Sequence, residues 1–251
     1  MKSVRFGWRK DIPDSRDLIY SNKISNLPSS CYNTTYMPEV FDQKSSNSCS
    51  GNATTTAYKY ALQVAGFDIA WTPSRIFPYY NGRVLDGDKI ITDNGSAIRN
   101  VIKGINKFGM VPEELCPFNL KYINDKPNEQ VYNEAKKHVS LKYQSVKQDI
   151  DVFKSLIVSG NIFVFGFSCF DYLDSDEMNR TGLLKMPSSD DVSTGGHATV
   201  CFGYSDDKKC FILRNSWGSS FALSGNFWMP MSYIEDPKLA ADFWTIEAVS
   251  G

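Results

Sequence analysis

The chain has 251 residues, a formal net charge of −1, 42% hydrophobic and 14% aromatic residues. That length suffices for one large domain or two lobes sharing an interface. The near-neutral charge gives no electrostatic drive toward nucleic acid or an anionic membrane. The longest apolar run, residues 162–167, is strand-sized and falls well short of the roughly 18–20 residues that span a bilayer.

Residues 1–26 are polar, carry no helical or strand period, and read as an arm. Met1-Lys2-Ser3-Val4-Arg5 leads into charged residues without an apolar core, which argues against a secretory signal. Residues 49–65 read as a helix, with Ala53, Ala57, Tyr60, Ala61 and Val64 on one face and Gly66 ending it. Thr54-Thr55-Thr56 is poor helix material, so this helix is expected to be buried. A second helix is predicted over 96–108 on the stripe Ala97, Val101, Ile102, Ile105 and Phe108. A polar helix near 128–138 and one near 151–159 follow.

From there the pattern turns to strands: 162–167, then 198–204 and 211–215 around the polar turn 205–209, then 225–229 and 243–248. Helices first and strands later predict an α+β fold in two lobes. The expected organisation is an arm at 1–26, a helical lobe at 27–140 and a β-rich lobe at 141–251.

The six cysteines are Cys31, Cys49, Cys116, Cys169, Cys201 and Cys210. No pair has CxxC or zinc-ligand spacing, so neither metal nor cofactor is implied, and buried free thiols in a reducing compartment are expected. His138 reads as a solvated helix residue, and Asp206 and Asp207 as turn residues.

Four residues form a chemical set. Gln43 precedes Cys49 by six positions, His197 follows Gly195-Gly196 at the head of an apolar run, and Asn215 opens Asn215-Ser216-Trp217-Gly218. A cysteine attacks only as thiolate. A place in the first turn of a helix and a protonated imidazole both favour that form. Cys49 is then the nucleophile and His197 the base and later acid. Asn215 orients the ring through its side-chain carbonyl, and Gln43 with the Cys49 N–H supplies oxyanion donors. Gly196 leaves room for substrate backbone, and Trp217 covers the contact between His197 and Asn215.

This set resembles the papain-like cysteine peptidases. The similarity extends to Phe6-Gly7-Trp8-Arg9-Lys10-Asp11-Ile12-Pro13-Asp14, Pro73-Ser74-Arg75-Ile76-Phe77, Tyr79-Tyr80-Asn81, Val111-Pro112-Glu113-Glu114, Asp236-Pro237-Lys238-Leu239-Ala240 and Asp242-Phe243-Trp244. These landmarks look like a branch of the family found in bacteria, protists and large DNA viruses. His197 and Asn215 follow Cys49 by 148 and 166 residues; about 130–150 is usual for this arrangement.

The resemblance implies a helical lobe and a barrel-like β-rich lobe with the site between them. It also implies hydrolysis of peptide or protein substrates through an acyl-enzyme, by a monomer. It places Gly95 on the strand lining the substrate cleft, and Phe221 where relatives often carry tryptophan. Ser46 stands where relatives in oxidising compartments often have a disulfide cysteine, so a cytoplasmic or virion-packaged location is favoured over secretion. Cys49 is followed by Ser50-Gly51-Asn52-Ala53, without the tryptophan of secreted relatives, and Gly95 lacks a second adjacent glycine. Two alternatives stay open: an acyltransferase or isopeptidase with the same triad, and an inactive papain-like binding module. The arm reads equally as a cleft-covering prosegment or as a structural belt.

Overall fold

The computed structural model describes residues 6–67, 70–138 and 141–248. Residues 1–5 of the arm, and the expected lobe boundary at 140, lie outside them. The helices are α1 (Cys49–Val64), α2 (Ile76–Leu85), α3 (Ile98–Phe108), α4 (Glu129–Ala135), α5 (Ile150–Val158), α6 (Asp176–Thr181) and α7 (Met231–Glu235). The strands are β1 (Trp8–Arg9), β2 (Ile19–Tyr20), β3 (Ser30–Tyr32), β4 (Ser96–Ala97), β5 (Leu141–Val146), β6 (Phe163–Cys169), β7 (Gly195–Ser205), β8 (Cys210–Arg214), β9 (Asn226–Pro230) and β10 (Ala240–Ala248).

β6 is buried on both faces, which is why its sequence is apolar without alternation. Phe163, Phe165 and Phe167 point into an aromatic core with Phe153 of α5, Phe211, Phe227 and Phe243. Val164 points the other way, into a core shared with Ala53 and Ala57 of α1, Ile102 and Ile105 of α3, and Ala198 and Val200 of β7. The main sheet runs β2-β5-β10-β6-β7-β8-β9, with β3 pairing the far end of β7. A phenylalanine-to-alanine change in such a core costs about 3–5 kcal/mol. The fold is α+β, and α1 packs its length against β7 and β10.

Local chemistry sets the ends of the elements. Asn128 and Asp149 cap α4 and α5 through their side-chain oxygens. The threonines of α1 are buried, and Thr56 returns its hydroxyl to the Asn52 carbonyl at 3.0 Å. The helix predicted from residue 96 begins at Ile98 instead. Ser96 and Ala97 are extended because they pair in parallel with Trp8 and Arg9, and the Ser96 N–H donates to the Gly7 carbonyl at 2.9 Å. α2 was not anticipated. Its Pro78 reads as a breaker, yet it sits in the first turn, where a missing N–H leaves no helical bond unmade.

The arm is not loose. Residues 6–9 lie in the cleft described below, while residues 11–24 wrap the surface. Arg99 meets Asp17 at 2.8 Å, Ile19 and Tyr20 pair with Ser145 and Val146, and the Ile24 N–H reaches Ser155 Oγ at 2.9 Å.

Candidate active site

Cys49 is the first residue of α1 and is fully buried. Ser48 leaves the helix N-terminus without a side-chain cap, so the first-turn N–H groups bias that end toward negative charge. The preceding loop is pinned from inside. Ser46 Oγ and Ser48 Oγ lie 2.6 Å apart, and Ser48 Oγ accepts from Asn52 Nδ2 at 2.9 Å. Asn47 N–H bonds the Asp93 carboxylate at 3.0 and 3.1 Å.

His197 sits on β7 opposite Phe167 of β6. Its Nε2 lies 2.7 Å from Asn215 Oδ1, and that oxygen also accepts the Ser216 N–H at 2.8 Å. An oxygen accepting from two sides fixes Nε2 as the protonated nitrogen. Nδ1, buried without a partner, keeps its lone pair. The Cys49 thiol lies near the backbone N–H of Ala198, the residue after His197, which puts the sulfur beside the histidine's own strand. Trp217 lies against the imidazole at 5.0 Å between ring centres, and Phe221 meets Trp217 edge-on at 5.0 Å.

Gln43 is fully buried. Its Oε1 accepts from Ser216 Oγ at 2.7 Å, and its Nε2 donates one N–H to the Ser46 carbonyl at 2.8 Å. A side-chain amide has two such hydrogens, so one remains for an oxyanion. The Gln43 backbone N–H also bonds the Ser216 carbonyl, which ties the nucleophile loop to the asparagine loop. All four residues of the predicted set thus meet in one place. His138 lies elsewhere, beside Trp71, half-buried rather than on an open helix face.

Residues 6–9 of the arm occupy the cleft. Gly7 and Gly95 are in such close approach that a Cβ on Gly95 would overlap the Gly7 carbonyl, and one on Gly7 would overlap Asn47. Gly95 also has φ 87°, open to glycine at no steric cost. The Gly7 backbone N–H lies near enough to the Cys49 thiol to work against the effect of its burial. Phe6 lies against Gly195 and the Trp8 ring against Gly196 and Gly166.

Burial works against charge on both groups. Burial pushes the Cys49 thiol up to about 11, against the N–H groups of Ala198, Gly7 and Ser50. Burial pulls His197 down to about 4, against its bond to Asn215. Burial thus opposes the charge on each group, where the sequence leads one to expect a thiolate–imidazolium pair. With the arm excluding water, neither charge is solvated.

The model of the papain family cysteine proteases matches residues 33–241 of the sequence. The chain belongs to the papain family of cysteine proteases. An uncharacterized peptidase C1-like protein of Acanthamoeba polyphaga mimivirus is 33% identical, over 99% of this chain and 88% of that protein. Xylellain, a cysteine protease from Xylella fastidiosa, superimposes with a TM-score of 0.91 at 33% identity, covering 99% of this chain and 98% of its own. Digestive procathepsin L 3 of the Tenebrio molitor larval midgut shares the fold, with a TM-score of 0.72 at 17% identity over 98% of this chain and 76% of that one. This papain-family protease is accordingly a hydrolase acting on peptides or proteins. Among its described residues, no helix is long and apolar enough to cross a membrane.

In the sequence Trp8, Asp11 and Asp242 stand out as family landmarks without an assigned role. The structure brings them together: Trp8 Nε1 donates to Asp242 Oδ2 at 2.9 Å, and the Asp11 N–H donates to the same oxygen at 2.8 Å. A tryptophan and two aspartates in otherwise aperiodic segments were the available signal.

Proposed function

We propose that this papain-family protease hydrolyses peptide bonds through a Cys49 acyl-enzyme, and that residues 6–9 of the arm hold it latent. The observation that carries the reading is the contact of His197 Nε2 with Asn215 Oδ1 at 2.7 Å. It leaves Nδ1 with a free lone pair on the strand that lies beside the thiol.

Once the arm lifts, water and the helix N-terminus favour the charged pair, and His197 Nδ1 takes the thiol proton. The sulfur adds to the peptide carbonyl carbon. The oxyanion is met by the Cys49 N–H and the free Gln43 Nε2–H. The C–N bond breaks as the imidazolium returns its proton to the leaving amine, which leaves a thioester on Cys49. Water, deprotonated by His197, attacks the thioester; the acid departs and the thiol reforms. Asn215 keeps the ring in the tautomer this sequence of steps requires, and Trp217 with Phe221 shields that contact. Gly95 and Gly196 line the path of the substrate backbone, where Gly7 and Trp8 now lie.

In this reading residues 27–140 form the lobe of the nucleophile and 141–251 the lobe of the base. The intact quartet under a removable cover favours a latent enzyme over an inactive binding module. The test is a fluorogenic peptide library under reducing conditions with the Trp8→Ala chain. Turnover that disappears with Cys49→Ala supports the reading. Its survival in that variant removes Cys49 from the chemistry.

A further inference from the structure

The Gln43 amide owes its aim to a single backbone peptide. Its oxygen is pinned by Ser216 Oγ at 2.7 Å, so the freedom left to it is a swing, and the Ser46 carbonyl stops that swing by accepting Nε2–H at 2.8 Å. The Ser46 N–H and Oγ both return to the Gln43 carbonyl, at 3.2 and 2.7 Å. Residues 43–46 thus close a turn with the side-chain amide folded back across it. The carbonyl that holds the amide belongs to the peptide joining Ser46 to Asn47. The N–H of that same peptide leaves on the opposite side and meets Asp93, 3.0 Å from Oδ1 and 3.1 Å from Oδ2. A trans peptide is planar, so its carbonyl and its N–H turn together.

We propose that Asp93 is a positioning residue for the Gln43 oxyanion donor, acting through the Ser46–Asn47 peptide. The proposal rests on the peptidase reading above, which gives Gln43 its role.

Asp93 is itself held. Asn47 Nδ2 donates to the Asp93 carbonyl at 2.6 Å, so the two residues latch in both directions. Tyr79 of α2, fully buried, donates its hydroxyl to Asp93 Oδ1 at 2.8 Å and receives the Gly95 N–H at 3.0 Å. One turn further along α2, the buried Arg83 lays its guanidinium 3.9 Å from the Tyr79 ring centre and donates to the Thr92 carbonyl at 2.6 Å. Residues 92–95 are therefore carried by α2, and Asp93 passes that support across to the nucleophile loop.

A carboxylate suits the task. An N–H bonded to a charged oxygen makes a stronger bond than one to a neutral oxygen. It also polarises its peptide, which makes the carbonyl at the other end a better acceptor. The Ser46 carbonyl then holds the first Gln43 N–H more firmly and leaves the second aimed at the oxyanion. Without Asp93 the peptide is free to turn, and the amide follows it. The loss falls on steps in which a carbonyl oxygen gains charge.

The test compares two reactions of Cys49 in the full chain carrying Trp8→Ala. Acylation by an activated peptidyl ester builds an oxyanion. Alkylation by iodoacetamide displaces iodide from a saturated carbon and builds none. The readout is the ratio of the two rates, from stopped-flow release of the ester's leaving group and from intact mass. Asp93→Ala should lower the ratio about tenfold, the worth of one hydrogen bond to a charged group. In a chain already lacking the amide, Gln43→Ala, the same change should alter the ratio by no more than about twofold, because the two residues act as one unit. A ratio unchanged by Asp93→Ala overturns the proposal. So does a fall just as large in the Gln43→Ala background, which would make Asp93 a general support of the loop. Where the alanine chain folds poorly, Asp93→Asn keeps an acceptor and removes the charge; it should lower the ratio about threefold, and an unchanged ratio there overturns the proposal equally. A ratio that falls with Gln43→Ala and not with Asp93→Ala removes Asp93 and leaves the peptidase reading standing. A ratio unmoved by Gln43→Ala removes the proposal together with the donor assigned to Gln43.

Discussion

Asn215 Oδ1 is shared: it receives His197 Nε2 at 2.7 Å and the Ser216 N–H at 2.8 Å. One side-chain oxygen thus fixes the imidazole to the backbone of its own loop. Asn215→Ala should lower kcat about ten- to thirtyfold, the worth of one hydrogen bond between buried groups, with KM little changed. Unchanged kcat would mean that the ring is oriented by Trp217 and Phe167 alone.

Gln43→Ala should slow acylation by about 10²–10³, the usual effect of losing one oxyanion donor, and should change KM less than kcat. Gln43 also bonds Ser216 Oγ and the Ser46 carbonyl, so its melting temperature should be measured alongside. Single-turnover rates equal to wild type would place the donor elsewhere.

The plug and the belt separate along the arm. Trp8→Ala removes a large half-buried side chain and should raise the rate of Cys49 alkylation by iodoacetamide at pH 6 at least tenfold, since about 1.4 kcal/mol off the docked state is enough. A chain beginning at Leu27 should instead lose stability, because the contacts of Asp17, Ile19, Tyr20 and Ile24 go with it. A fall of roughly 5 °C or more is expected for a protein of this size. Equal alkylation rates in wild type and Trp8→Ala would show that the cleft is open.

Asp11 gives the fold a pH dependence of definite sign. Burial, with the Asp242 charge second, pushes its carboxyl up to about 7, against an ordinary value near 4. A group raised in this way contributes fully below about pH 4, and its contribution is lost as pH rises through about 7. The melting temperature should therefore fall over that window, and Asp11→Asn should flatten the slope. A slope that persists in the variant would assign it to another group.

Much of this was legible in the sequence, for reasons that differ by element. α1 and α3 announce themselves by apolar stripes, α5 by the glycine at 160 that stops it, and β6 to β9 by apolar runs around a polar turn. β5 carries a weak pattern, Leu141-Lys142-Tyr143-Gln144-Ser145-Val146, because only its end residues are buried. The arm shows no period because its partners, Ser96, Ser145 and Asp242, are remote in sequence. Cys49, His197, Asn215 and Gln43 were readable from residue type and spacing. The contact of Trp8 with Asp242 was not, because the two are remote in sequence and neither lies in a periodic segment. Nor was the burial of Cys49 and His197, to which the arm lying over them contributes.

The most direct test of the account is to catch the acyl-enzyme. The Trp8→Ala chain, mixed with excess of an activated peptidyl ester at pH 5 and quenched in acid within milliseconds, is digested and read by mass spectrometry. The account predicts a burst of leaving group equal to the enzyme concentration and the acyl mass on the peptide carrying Cys49, both absent in Cys49→Ala. Hydrolysis without a burst, an acyl group on another residue, or a burst that survives in Cys49→Ala would contradict it.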